Sequence, residues 1–271
     1  MPVQTGTRIS GLFGRCKTEN RKAFIAYITA GDPAPDLMAA LVLALERGGA
    51  DLIELGVPFS DPIADGPVIQ RASDRALRAG MTMRKVLSIV REVRRKSEIP
   101  IILFSYLNPL LRYGFDALAK DSAQAGVDGV LMTDLCVEEA ENPVRRVREQ
   151  GLDTIFLAAP TSTEARLQRV AEQSSGFIYL VSRTGITGEQ SSLSGSAVPL
   201  VEKMRGLTNL PLAVGFGIST PDQVKEIGAI ADGVVVGSAI VRFIEEHSTD
   251  PALPQRLEGF VRALSAPLRS A

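Results

Sequence analysis

The sequence predicts an α/β protein folded as a (β/α)8 (TIM) barrel, with extra helices at its N-terminal and C-terminal ends. Three observations carry that expectation. Eight short apolar runs rich in β-branched residues recur along the chain. Amphipathic helical stretches separate them, and strands buried on both faces and joined by helices make a parallel sheet. All eight units fit within 271 residues, with no Ser/Gly linker or composition break, so 1–271 reads as a single barrel domain.

The elements follow in order. Residues 1–20 read as an N-terminal helical or capping piece. The strand runs are 23–29, 51–55, 100–105, 129–133, 154–158, 177–181, 212–216 and 233–237. After the first run, Leu37, Leu41 and Leu45 recur every four residues with Met38 and Val42 beside them, giving one apolar helix stripe. Gly48, Gly49 and Ala50 end that helix. MRKVLSIVREVRRKS precedes the third strand, FDALAKDSAQAG the fourth and VEEAENPVRRVREQG the fifth. Pro143 limits that last helix or starts its continuous part. TEARLQRVAEQ, VPLVEKM and PDQVKEIGAI precede the sixth, seventh and eighth. Thr220, Pro221 and Gln223 form an N-cap, N1 and N3 set at the head of the last of these. Residues 250–268 read as a final helix broken near Pro267.

Composition removes several classes. Apolar residues at 45% and charged residues at 23% are globular values, which argues against disorder. Thirty Lys and Arg balance 31 Asp and Glu to a net charge of −1, without the basic surplus of a nucleic-acid protein. Arg91, Arg94, Arg95 and Lys96 cluster, and the pattern around them reads as the solvated face of an amphipathic helix. The longest apolar run, 37–45, is far below the roughly 18 residues of a membrane span, and no secretory h-region is visible. Cys16 and Cys136 are far apart and read as reduced, structural thiols of a cytoplasmic protein. A single His, at 247, leaves no His-based metal site or Ser-His triad, and no metal is expected. Tryptophan is absent.

In a barrel of this type the chemistry lies at the C-terminal ends of the strands. Glu54 sits between Ile53 and Leu55 in a strand run. If it points into the barrel, burial raises its pKa and suits it to proton transfer; if it points outward, it meets a basic residue on a helix. The following loop carries Gly56, Pro58, Asp61, Pro62, Asp65, Gly66 and Pro67, so its shape is specified. Asp65, eleven residues after Glu54, either folds back as a second carboxylate or serves turn chemistry, as Asp61 also can. Gly215 and Gly217 end the seventh strand, and Gly237 and Ser238 end the eighth. They are tight turns or a phosphate cradle, at the loops where barrels often bind phosphate. The loop 182–196, with Thr187 and Gly188, reads as a lid or a plain surface loop. Tyr106 and Tyr179 pack the core by default, and each could instead touch a flat apolar substrate or orient a carboxylate.

The run ELGVPFSDPIADGPVIQ, with AYITAGDP, SYLNP, SRTGITG, GFGIS and GSAIV in the same order, resembles the tryptophan synthase alpha subunit family over roughly 13–265. The resemblance implies a (β/α)8 barrel that cleaves indole-3-glycerol phosphate to indole and glyceraldehyde 3-phosphate. It assigns Glu54 to protonating the ring carbon that bears the glycerol chain, and Asp65 to the indole nitrogen. Gly188, Gly215, Gly217, Gly237 and Ser238 would bind the phosphate, with Phe216 beside them. Tyr179 would sit near Glu54, Tyr106 in the substrate site, and Thr187 in the lid. The resemblance implies no cofactor in this chain, a beta subunit carrying pyridoxal phosphate (PLP), and an α2β2 assembly faced by the loop Pro58 to Pro62. Where the family commonly has Asp-(Leu/Val)-Pro, this chain reads Asp134-Leu135-Cys136, which loosens that loop and leaves its contact with a partner open. Two other functions compatible with the resemblance are a non-catalytic subunit that activates a beta partner and a stand-alone lyase. A different phosphate-binding barrel, such as a sugar-phosphate isomerase, is the fallback.

Overall fold

The computed structural model describes residues 6–181, 193–215 and 217–269. Among them, nine strands form one all-parallel sheet and twelve α-helices surround it. Helix α1 (Arg8–Thr18) comes first, with the Thr7 side chain accepting from the Ser10 amide as its N-cap. Strand β1 (Ala23–Thr29) leads through a short 3₁₀ turn to α2 (Met38–Arg47). Met38, Leu41, Val42 and Leu45 bury the expected stripe, while Leu37 stays in the 3₁₀ turn. Gly49, at φ +104°, takes a backbone conformation that side-chain-bearing residues avoid, and turns the chain into β2 (Leu52–Gly56).

Then follow α3 (Pro67–Arg78), α4 (Met83–Arg94), β3 (Ile101–Ser105), α5 (Leu107–Tyr113), α6 (Phe115–Ala125) and β4 (Gly129–Met132). Helix α7 (Glu141–Arg148) carries Pro143 in its first turn, where a missing N–H costs nothing. Strands β5 (Asp153–Ile155) and β6 (Leu157–Ala158) precede α8 (Glu164–Gln173), β7 (Ile178–Val181) and α9 (Leu193–Arg205). Strand β8 (Leu212–Gly215), α10 (Pro221–Gly228), β9 (Gly233–Val236), α11 (Ser238–Glu246) and α12 (Leu253–Ser265) complete the order, with a 3₁₀ turn over Ala266–Leu268. Thr220 and Gln223 make the full capping box on α10.

The sheet order is β5-β4-β3-β2-β1-β9-β8-β7-β6. Its two ends are consecutive in the chain. Residues 153–155 pair with β4 and residues 157–158 pair with β7, with Phe156 between them. The fifth expected run is therefore one barrel strand in two pieces, and the ring closes through it.

Two cores lie on opposite sides of this ring. The outer one packs alternate strand residues such as Phe24, Ile28, Ile53 and Leu103 against the helices. The inner one stacks Ile25, Leu52, Ile102, Leu131, Ile155, Phe177, Ala213 and Val235 inside the barrel. Helix α1 closes its N-terminal end with Ile9, Leu12, Phe13 and Cys16, and the rings of Phe13 and Phe177 lie 5.8 Å apart.

One expectation needs correction. Arg91, Arg95 and Lys96 are exposed, but Arg94 is not part of a solvated face. Its guanidinium turns inward and donates to the Gly126 and Ile99 carbonyls at 2.8 and 2.7 Å and to Asp128 Oδ2 at 2.7 Å. Periodicity placed Arg94 on the polar side, yet a long side chain reaches buried acceptors from there.

Candidate active site at the barrel mouth

Strand alternation places Leu52, Glu54 and Gly56 on one face of β2, and Leu52 belongs to the inner core. Glu54 therefore points into the barrel, not toward a helix. It is 1% exposed, and its Oε1 has no hydrogen-bond partner. Burial alone pushes its pKa up to about 8, so the carboxyl is mainly neutral at pH 7.

Asp65 comes from the loop after β2. The turn is fixed by its own N–H donating to the Pro62 carbonyl at 3.0 Å and by Gln70 Nε2 donating to the Asp65 carbonyl at 2.8 Å. Its half-buried side chain lies near the Tyr106 hydroxyl. Burial raises the carboxyl to about 6, against the lowering effect of that phenol, so at pH 7 it is mainly ionised. The Tyr106 oxygen also accepts the Ala64 N–H at 2.9 Å, and its ring lies 5.3 Å from Phe59. Of the two roles open to Tyr106, the geometry favours orienting a carboxylate. Asp61, by contrast, is exposed and accepts from the Ser60 hydroxyl, a local turn contact.

Tyr179 stands on β7, 6% exposed, and lies across Gly215 on the neighbouring strand. A Cβ at Gly215 would sit 2.1 Å from the phenol oxygen, so this position has to be glycine whatever else it binds. Tyr27, on β1, repeats the arrangement over Gly56, with 2.2 Å between the ideal Cβ position and its oxygen. Burial first, and then the nearby Asp65 charge, hold both phenols protonated. The sequence reading missed Tyr27. The signal was present as the order Ile25, Tyr27, Thr29, but a strand apolar on both faces conceals which set points inward.

Gly217 has φ +76° beyond β8. Gly237 is the N-cap of α11 and Ser238 its first residue, with no side chain capping the free amides. Such an end attracts an anion. Thr187, Gly188 and Phe216, like most of the loop 182–196, lie outside the described residues. Among the described residues no group of three His, Cys, Asp or Glu is arranged to hold a metal ion. His247 is occupied structurally, its Nδ1 2.9 Å from the Phe243 carbonyl and its ring stacked on Phe243.

Comparison with known proteins identifies the family. The family model described as tryptophan synthase alpha chain matches residues 13–265. A tryptophan synthase alpha chain from Solibacter usitatus is 61% identical over 258 residues, covering 95% of this chain and 97% of the relative. One from Geotalea uraniireducens is 52% identical, covering 97% and 98%. The crystal structure of tryptophan synthase subunit alpha from Legionella pneumophila superposes with a TM-score of 0.90 at 35% identity, covering 98% of this chain and 100% of that one. A Mycobacterium tuberculosis tryptophan synthase structure gives 0.89 at 39% identity, with 98% and 100% covered. On the fold, the matched span and these identities, the chain belongs to the tryptophan synthase alpha chain family.

Proposed function

We propose that Glu54 and Asp65 divide the acid–base work of the reaction that this family performs. That reaction is the aldolase-type cleavage of indole-3-glycerol phosphate to indole and glyceraldehyde 3-phosphate, a lyase step in tryptophan biosynthesis. The observation that carries the division is the pair of unlike environments. Glu54 is neutral near pH 7 and has a proton to give; Asp65 is ionised and has a charge to offer.

Glu54 protonates the ring carbon that bears the glycerol chain. The ring nitrogen becomes electron-poor, and Asp65 accepts its N–H. The carbon–carbon bond then breaks, its electron pair returns to the ring, and the adjacent glycerol hydroxyl gives its proton to the Glu54 carboxylate as the aldehyde forms, which restores the acid. One proton enters and one leaves, so the cycle balances. Tyr106 aims Asp65, while Gly215, Gly217, Gly237 and Ser238 hold the phosphate with backbone N–H groups and a hydroxyl. Thr187, Gly188 and Phe216 complete that end by resemblance, and Tyr179 packs beside Glu54. These proton transfers ask for no cofactor in this chain.

The family name implies a beta subunit partner. We place PLP in that partner, the assembly as α2β2, and the enzyme in the cytoplasm. Ile63, 87% exposed next to the Pro58–Pro62 segment, gives that loop an apolar surface for it. Among the described residues no helix is long and apolar enough to cross a membrane.

Indole release tests the reading directly. The chain lacks tryptophan, so all indole fluorescence belongs to substrate and product, which chromatography separates. Glu54→Gln should lower turnover by at least about 10²-fold while phosphate-end binding survives. Turnover retained in that variant overturns the assignment. Faster release with a beta subunit separates a synthase from a stand-alone lyase.

A further inference from the structure

One polar pair inside the barrel has no part in these proton transfers. Tyr27 and Thr29 share the inward face of β1 with Ile25 and are 5% and 1% exposed. Their hydroxyls lie 3.4 Å apart, the one hydrogen bond that either side chain makes among the described residues. Whichever oxygen donates, one O–H proton is left without an acceptor. Glu54 does not take it, since its Oε1 is unpartnered. A buried hydroxyl in that state is unfavourable until a ligand satisfies it.

The position of the phenol indicates which part of a ligand it meets. Its base lies beside Gly237, with Tyr27 Cβ, Cδ1 and Cγ 3.4–3.6 Å from that glycine's ideal Cβ position. Its tip lies against Gly56 on the strand that carries Glu54, and Tyr27 is the register partner of Glu54. The edge-on ring of Phe104, 5.2 Å away, fixes its plane. The phenol thus bridges the glycine assigned to the phosphate and the acid assigned to the indole. The three-carbon linker of the substrate crosses the same interval, and it bears hydroxyl groups.

We propose that the Tyr27–Thr29 hydroxyl pair is a specificity-determining contact, donating its unused proton to a hydroxyl oxygen of the substrate's linker. This rests on the site reading above and adds to it a means of recognising a hydroxylated chain. Burial of the phenol and the Asp65 charge support it by keeping the phenol a donor. Discrimination between a hydroxylated linker and a bare one is the property it predicts.

Equilibrium binding to Glu54→Gln, with and without Tyr27→Phe, tests the proposal. The ligands are indole-3-glycerol phosphate and an indole joined to phosphate by an unhydroxylated propyl chain. Removing the hydroxyl should weaken the glycerol compound roughly three- to tenfold and change the propyl compound by under about twofold. Equal weakening of both would mean that Tyr27 acts only through packing, and no change in either would mean that its hydroxyl is idle; each overturns the proposal. Failure of indole-3-glycerol phosphate itself to bind the Tyr27 parent overturns the site reading, and this inference with it.

Discussion

Glu54 and Asp65 are the same kind of acid in two environments, and the difference sets a pH window. Glu54 must be protonated to act, and it loses that proton as pH rises through about 8. Asp65 must be ionised, and it regains a proton as pH falls through about 6. The profile of kcat/KM should therefore be a bell with its maximum near pH 7. Glu54→Asp should move the alkaline limb and leave the acid limb in place; a profile flat from pH 5 to 9 would contradict both roles. At this scale the sequence was informative about identity and silent about environment. The motif named both carboxylates, but only the register of β2 shows that Glu54 faces inward without a partner. Tyr27 was hidden for the related reason that every residue of β1 is buried.

Helices and strands were legible where apolar residues kept a clean period. The stripe on α2 and the capping box on α10 lie where the sequence placed them. Three helices escaped. The buried stripe of α3 is made of Val68, Ala72 and Ala76, mostly too small to stand out from its charged face. Helix α5 is two turns long with a single fully buried residue, Leu110. Helix α11 begins directly on the Gly-Ser turn that had been read only as an anion site. Arg94 shows the limit of pattern reading most plainly. It ties the end of α4 to Gly126 after α6 and to Asp128 before β4, and its removal leaves Asp128 with Arg8 as its remaining charged partner. Arg94→Met should cost about 3 kcal/mol in denaturant unfolding. Activity below the new midpoint should stay at the parent level, because this clamp sits at the N-terminal ends of the strands. A loss equal to that of exposed Arg91→Met would refute the clamp.

Across the whole molecule, the acid proposed for the chemistry weakens the fold. Below pH 4.5, Glu54 is protonated in both folded and unfolded chains and has no effect on their balance. Between 4.5 and about 8 the unfolded chain ionises while the folded one stays protonated, so stability falls as pH rises. Glu54→Leu removes that dependence. Its gain over the parent should be on the order of 3 kcal/mol at pH 7 and should shrink toward pH 4.5. Urea midpoints at pH 5 and pH 8 read it, and an identical gain at both would contradict the buried, neutral carboxyl. The outline of the barrel was visible from its eight apolar runs, whereas the break at Phe156 was not. A strand that hands its hydrogen bonds from one neighbour to the other within a single residue looks, in sequence, like any other strand.

Helix α1 gives the barrel a floor, and a vessel with a floor has rules of traffic. Ile9, Leu12 and Phe13 fill the end opposite the chemistry, so whatever enters at the rim must also leave there. With the roles proposed for Glu54 and the phosphate-end glycines, indole is released at the depth of Glu54. Its way out therefore runs past the departing aldehyde, through the rim beside the Asp61–Asp65 loop, where Ile63 stands exposed. The helix farthest from the reaction thus decides which product waits for which.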